Sequence, residues 1–322
     1  VADERLIIFT GPSPRGWHRI GMFLECPSKY AWAYEAKEEG TRAPTGPLQE
    51  AVPLVRGSLI HLGLAQHYAQ VREYQNDGDP DRYYPPEDAM RIVAEAKGGT
   101  WASEVDECVQ CVHAYFDHYA NEDLKVLRVE EAYKGDFGGF PLTGRLDLVV
   151  EDRSGKVFVM DHKTTGFLSA KQRTYYSVSG QMHTYRWLAA KEYGERFGGM
   201  RVNLIQHTNG FKFARYDLDP APHMFTNFPR IIKEAEEAIL RYRAEGRKPS
   251  EWPMAVSELA CFHRYGACEF LDKCKWGACW RSGARRRKTP RCATWTGSTG
   301  RQRRIPVTRY FGPSTRSRPC AM

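Results

Sequence analysis

The chain has 322 residues, 42% of them hydrophobic and 27% charged, which suffices for a packed core and argues against wholesale disorder. No stretch approaches 18 uninterrupted apolar residues, and Val1–Phe9 carries three charges and no apolar run, so no transmembrane helix or signal peptide is expected and the protein is read as soluble and cytoplasmic. The net charge of +8 is concentrated in residues 279–322, which hold 12 Lys and Arg and no acid; the remaining 35 basic and 39 acidic residues make a mildly acidic body, not one coated in positive charge.

In chain order, Trp17–Tyr34 predicts a short helix interrupted at Cys26-Pro27, and Thr41–Pro53 a loop containing Pro and Gly. Gly57–Val71 has the spacing of a helix, with Ile60, Leu64 and Val71 apolar, and residues 76–86 form a polar, Pro-rich loop. Ser103 and Asp106 have the spacing of a capping box, followed on one face by Val105, Cys108, Val109, Val112, Phe116 and Tyr119. The period then changes. Lys125–Tyr133, Pro141–Glu151 and Lys156–Lys163 read as strands, the last two joined by an Asp152–Gly155 turn. Gly180–Glu192 is helical, Val202–Thr208 and Phe211–Tyr216 flank the hairpin signal Asn209-Gly210, and Pro229–Arg243 is a charged amphipathic helix. Strands bracketed by helices imply an α/β or α+β class and exclude all-α and all-β folds. The expected division is residues 1–278 as one domain and 279–322 as a basic, disordered tail, either an Arg-rich arm for nucleic acid, a bland appendage or the product of a shifted reading frame.

The most informative stretch joins Gly144-Arg145-Leu146-Asp147 to Asp161-His162-Lys163 across the Asp152–Gly155 turn. Asp161 and Lys163, two apart on a strand, emerge on one face while His162 points to the other, and Asp147 on the neighbouring strand completes the group. The flanking Leu146, Leu148, Val150, Val157 and Val159 imply burial, where two acids and a lysine are costly unless they hold a cation. Aspartate oxygens with a carbonyl and waters suit Mg²⁺ or Mn²⁺.

Gly-x-x-Asp followed by Asp-x-Lys on the next strand resembles the PD-(D/E)xK nuclease superfamily, in particular its RecB-type exonucleases. Gln181 and Tyr185, in a Gln-x-x-x-Tyr spacing on one helix face, match the motif that follows the lysine in that family. His61 in Gly57-x-x-x-His61 matches its N-terminal metal-binding histidine. Glu130, on the strand before Asp147, matches an acid often found there, although Glu131 is adjacent and either could face inward. The ordered set spans about residues 17–275.

The resemblance implies a restriction-endonuclease-like core, a central mixed sheet flanked by helices. In it Asp147, Asp161, His61 and the His162 carbonyl hold the divalent metal, Lys163 orients the attacking water, and Gln181 and Tyr185 support the DNA or Lys163. The implied activity is metal-dependent exonucleolytic hydrolysis of single-stranded DNA or duplex ends in recombination, repair or phage DNA metabolism. A non-catalytic DNA-binding or recombination-assembly module on the same fold is the alternative. No G-x-x-x-x-G-K-[ST] loop is present, so unwinding would need a helicase or recombination partner.

Nine cysteines, an odd number, argue for thiol or metal chemistry and not a disulfide framework. Cys261, Cys268 and Cys274 lie in a short, turn-rich segment and need a fourth ligand. Cys26 resembles the lone N-terminal cysteine of iron–sulfur members of the family, which would clip the two ends of the nuclease around a [4Fe–4S] cluster. Cys279 is the competing ligand and Zn²⁺ the competing metal. Cys108 and Cys111 sit on an amphipathic helix and read as buried, inert thiols.

Overall fold

The computed structural model describes residues 3–7, 13, 15–36, 51–263 and 266–276. The expected tail at 279–322, with Cys279, lies outside the described residues, as does most of the loop expected before Pro53.

Helix α1 (Trp17–Glu25) stops at Cys26, whose extended backbone starts α2 (Pro27–Tyr30) with Pro27 in its first turn, and a π-helical turn (Ala31–Glu35) continues it. Helix α3 (Val52–Gln75) is longer at both ends than its apolar periodicity suggests, because Pro53 is tolerated in its first turn. The Pro-rich stretch ends in α4 (Pro86–Lys97), which has Glu87 and Asp88 at its N-terminus and closes on Gly98 at φ 65°.

Helix α5 (Gly99–His118) corrects the capping-box expectation. It begins four residues before Ser103, whose hydroxyl instead donates to the Thr100 carbonyl inside the helix. Its buried face is Val105, Cys108, Val109, Cys111, Val112 and Tyr115.

Strands β1 (Lys125–Phe137), β2 (Phe140–Glu151) and β3 (Val157–Thr165) form an antiparallel meander, followed by α6 (Lys171–Ser177) and α7 (Gly180–Tyr193). That crossover returns the chain to β4 (Phe197–Gln206), parallel to β3, and β5 (Lys212–Asp217) pairs back antiparallel. The β4–β5 turn places Asn209 and Gly210 at φ 55° and 87°, the left-handed geometry that Asn-Gly favours. Helix α8 (Pro222–Ala244) starts a turn and more before Pro229, which it accommodates internally. The chain then passes through α9 (Glu258–Cys261), a small ladder of β6 (Phe262–His263) and β7 (Gly266–Ala267), and α10 (Leu271–Trp276).

The fold is therefore α/β, with a mixed five-stranded sheet in the order β1-β2-β3-β4-β5 flanked by helices. One face carries Val149, Val157, Val159 and Val202 against Met182 and Leu188 of α7. The other carries Val126, Leu148, Val150 and Met160 beneath α3, which packs in turn on α4 and α5. Among the described residues no helix is long and apolar enough to cross a membrane.

Candidate active site

The site forms where the alternation of β2 slips. Leu146 packs with the α7 cluster whereas Leu148, two residues on, packs on the α3 side. The slip falls at Asp147, opposite Glu130 in the register that pairs Val129 with Leu148 and Glu131 with Leu146. Glu130 stands at φ 49°, a left-handed conformation costing a non-glycine residue about 1–3 kcal/mol. The distortion re-aims two acids toward one point, as strand irregularities beside active sites commonly do.

Two glycines let helices approach closely. A Cβ on Gly57 would lie 3.1 Å from Thr164 Oγ1, so α3 sits against the end of β3 and presents His61 one turn later. A Cβ on Gly144 would lie 3.0 Å from both Leu188 Cδ1 and Tyr185 Cε1, so α7 sits against β2 and delivers Tyr185.

His61, Glu130 and Asp147 each offer a ligand atom within 4.8 Å of the others, and His61 Nδ1 is 3.5 Å from Asp147 Oδ2. That oxygen accepts the main-chain N–H of His162 at 2.9 Å, and the His61 ring faces the His162 carbonyl. Asp161, opposite Asp147 across the β2–β3 ladder, is fully buried and pairs with Lys163 at 2.6 Å. The pairing is an ion contact with poor hydrogen-bond alignment, and both Asp161 oxygens lack a well-directed donor. Gln181 donates to the Tyr185 hydroxyl at 2.8 Å. Of the residues expected from the sequence, His61, Glu130 and Asp147 come together and Gln181 and Tyr185 line the same cleft, whereas Asp161 and its partner Lys163 lie outside that group of three; Glu131 is exposed.

The electrostatics are those of carboxylates crowded out of water. Burial, and then Asp147, pushes Glu130 up to about 9. Burial pushes Asp161 up to about 6 against the pull of Lys163, and raises Asp147. Burial alone would lower Lys163, but Asp161 and Asp147 overcome it and hold the ammonium above its ordinary range. Burial and the Lys163 charge take His61 down to about 4, so its imidazole is neutral. Oxygen donors, one neutral imidazole and a buried carboxylate without directed donors fit a divalent cation such as Mg²⁺ or Mn²⁺.

A cleft of about 790 Å³ opens over this point, with His61, Glu130, Asp147 and Tyr185 on its floor and Trp17, Leu54 and Trp101 among its walls. Arg145 and Lys97 also line it. These wall residues were not singled out in the sequence; Arg145 was legible in principle, lying inside Gly-x-x-Asp. Asn203, buried behind the site, was legible as the one polar residue in the apolar run Val202–Ile205.

The cysteines meet at the other end of the chain's path. Cys26 Sγ accepts from the Ala255 N–H at 3.5 Å, Cys261 Sγ donates to the Ala255 carbonyl at 3.7 Å, and Ser28 Oγ lies 3.8 Å from Cys274 Sγ. The Cys268 N–H donates to the Cys261 carbonyl at 2.8 Å. Among the described residues, no three thiols come within 4.8 Å of one another. Cys108 and Cys111 are buried, and burial pushes both thiols up to about 12, which makes them inert.

Among known proteins, no curated protein matches the chain. Solved structures similar to it include SSO0001, at 14% identity over 55% of this chain and 74% of that one, with a TM-score of 0.29. A candidate exonuclease from Eubacterium rectale is 14% identical over 70% of this chain and 76% of that one, with a TM-score of 0.36. Likenesses this distant carry no argument about activity. The family model of the PD-(D/E)XK nuclease superfamily matches residues 18–275, a span that takes in all five sheet strands, the converging acids and Lys163. The chain belongs to the PD-(D/E)XK nuclease superfamily.

Proposed function

We propose that the protein is a divalent-metal-dependent deoxyribonuclease, working as an exonuclease on single-stranded DNA or processed duplex ends. The observation that carries this reading is the convergence of His61, Glu130 and Asp147 on one cleft beside the buried Asp161–Lys163 pair. Asp147, Asp161, His61 and the His162 carbonyl would hold Mg²⁺ or Mn²⁺, with Glu130 as a further ligand. A bound ion would polarise the phosphodiester and lower the pKa of its water.

Lys163, held as an ammonium by its two carboxylate neighbours, has no lone pair to accept a proton. Its role is to donate: it orients the attacking water and stabilises the charge developing on the phosphate. Tyr185, tied to Gln181, braces this corner and contacts the strand. Trp17, Leu54 and Trp101 give the cleft an apolar, aromatic wall, which suits unpaired bases better than a duplex backbone.

The cysteines extend the reading. Cys26, Cys261, Cys268 and Cys274 would ligate a [4Fe–4S] cluster joining the two ends of the nuclease. Their contacts around Ala255 and Ser28 support it. Zinc is the competing metal, since four thiolates would hold either, and the resemblance to iron–sulfur members of the family is what favours the cluster. A helicase or recombination partner would supply unwinding.

The test is digestion of end-labelled single-stranded DNA, duplex DNA and RNA in Mg²⁺ or Mn²⁺. Stepwise shortening of single-stranded DNA from an end is the expected result. Internal cuts would replace the exonuclease mode, cleavage of RNA alone would replace the substrate, and no cleavage with either ion would overturn the reading.

A further inference from the structure

His162 sits between Asp161 and Lys163, yet its ring leaves on the other face of β3, toward α3, where it meets the His61 ring edge-on with centroids 6.0 Å apart. There it stacks on Tyr68 of α3, with centroids 5.9 Å apart and planes 13° from parallel, and meets Tyr115 of α5 edge-on at 6.2 Å. Asn203 lies directly across the parallel β3–β4 ladder from His162. Its amide nitrogen is 2.9 Å from His162 Nδ1 and also donates to the Tyr115 hydroxyl. The Tyr115 oxygen accepts a second bond from Arg215 Nη2 of β5 at 3.1 Å and lies 2.9 Å from the Tyr68 hydroxyl. Arg215 is in turn paired with Glu122. With Asn203 and Arg215 both donating, the Tyr115 oxygen has its two lone pairs filled and sends its own proton to Tyr68.

His162, Asn203 and Tyr115 are buried. A buried polar set of this kind costs more desolvation than apolar side chains of equal volume, so its use lies in what it holds. What it holds is one residue whose main-chain N–H binds Asp147 and whose carbonyl faces His61. A rotation of that residue would move both contacts, and with them Asp161 and Lys163 on either side.

We propose that Asn203 and Tyr115, acting through His162, are positioning residues of the metal centre: by clamping the His162 ring from β4 and α5 they fix the aim of Asp147, His61 and Asp161. The inference rests on the proposed metal centre and adds to it a support that the ligands themselves do not reveal. Outer partners that orient metal ligands typically carry about 10- to 100-fold of metal affinity.

The test is Mn²⁺ titration of the full chain, read by the electron paramagnetic resonance of the free ion, with kcat and KM on single-stranded DNA alongside. Asn203→Leu should weaken Mn²⁺ binding by about 10- to 100-fold and lower kcat with KM unchanged. Tyr115→Phe keeps every ring contact and should give a smaller loss of the same kind. The double variant His162→Phe/Asn203→Leu removes both halves of the pair, so its core stays matched and it should fold like the parent while binding Mn²⁺ weakly. Tyr133→Phe breaks another hydroxyl pair, with Tyr193 at 2.7 Å, and should leave the metal affinity unchanged. A folded double variant that binds Mn²⁺ like the parent overturns the proposal, as does an equal loss in Tyr133→Phe. A parent protein that binds no Mn²⁺ removes the metal centre itself and the proposal with it, a result distinguishable from failure of the clamp alone.

Discussion

Metal binding at this site should be steeply pH-dependent, and the protons involved can be assigned. In the metal-free protein Glu130 has its pKa near 9, against an ordinary 4.5, so at pH 7 only about 1% of it is ionised. A cation that uses Glu130 as a carboxylate must expel that proton. His61, at about 4, is already neutral and releases nothing, and Asp161, at about 6, matters only lower on the scale. Asp147, also raised by burial and beside Glu130, shares this titration, so Mg²⁺ binding at pH 7 should release about one proton from the Glu130–Asp147 pair, and affinity should rise by roughly an order of magnitude or more between pH 7 and pH 9.

Stability follows with the opposite sign. Because its folded pKa lies above the unfolded one, Glu130 contributes stability that is full below about 4.5 and is lost as pH rises through about 9. Metal-free protein should thus melt at lower temperature as the solution becomes alkaline, and Mg²⁺ should restore the melting point most at the alkaline end. Calorimetric Mg²⁺ titrations in buffers of different ionisation enthalpy measure the proton release, and Glu130→Gln should flatten the profile between pH 7 and 9. A parental affinity flat across that window, or a slope that persists in Glu130→Gln, would refute the assignment of Glu130 as an ionising ligand.

Gly144→Ala should destabilise the fold by about 1–3 kcal/mol in denaturant titrations, because its methyl would press on Leu188 and Tyr185. It should also cost activity through the displaced Tyr185, and a variant of parental stability would show that α7 can recede. Lys163→Met should lower turnover by roughly a hundred- to a thousandfold through loss of a transition-state donor, and should weaken metal binding too, since Asp161 without its partner titrates above about 6. Unchanged Mg²⁺ affinity would contradict the second part. If Cys26 ligates the proposed cluster, Cys26→Ala should lose iron and sulfide and destabilise the whole nuclease, since 234 residues separate Cys26 from Cys261 and closing so long a loop most restricts the unfolded chain. Retention of iron and sulfide in Cys26→Ala would break the end-to-end clip.

The strand pair carrying Asp147, Asp161 and Lys163 was legible because period-two alternation places 157, 159, 161 and 163 on one face, and the structure keeps that alternation along β3. Gln181 and Tyr185, four apart, were legible as neighbours on one face of the expected helix, which the structure forms as α7. What escaped was what periodicity does not encode. The face slip at Asp147 and the left-handed Glu130 come from two strands distorting together, so neither strand alone announces it. The start of α5 at Gly99 was hidden because Ser103 and Asp106 have capping-box spacing, while the break between α4 and α5 is made by Gly98 at positive φ. The Asn203–Tyr115–His162 contact joins β4, α5 and β3, elements whose adjacency follows only from the crossover.

Single-turnover hydrolysis of an end-labelled single strand by the full chain bears most directly on the central claim, compared in Mg²⁺, in Mn²⁺ and in excess chelator, beside Asp161→Ala. The expected result is end-wise product release with either ion, none with chelator, and none from a folded Asp161→Ala protein. Hydrolysis that survives chelation, or a folded Asp161→Ala variant that cleaves at the parental rate, would contradict it.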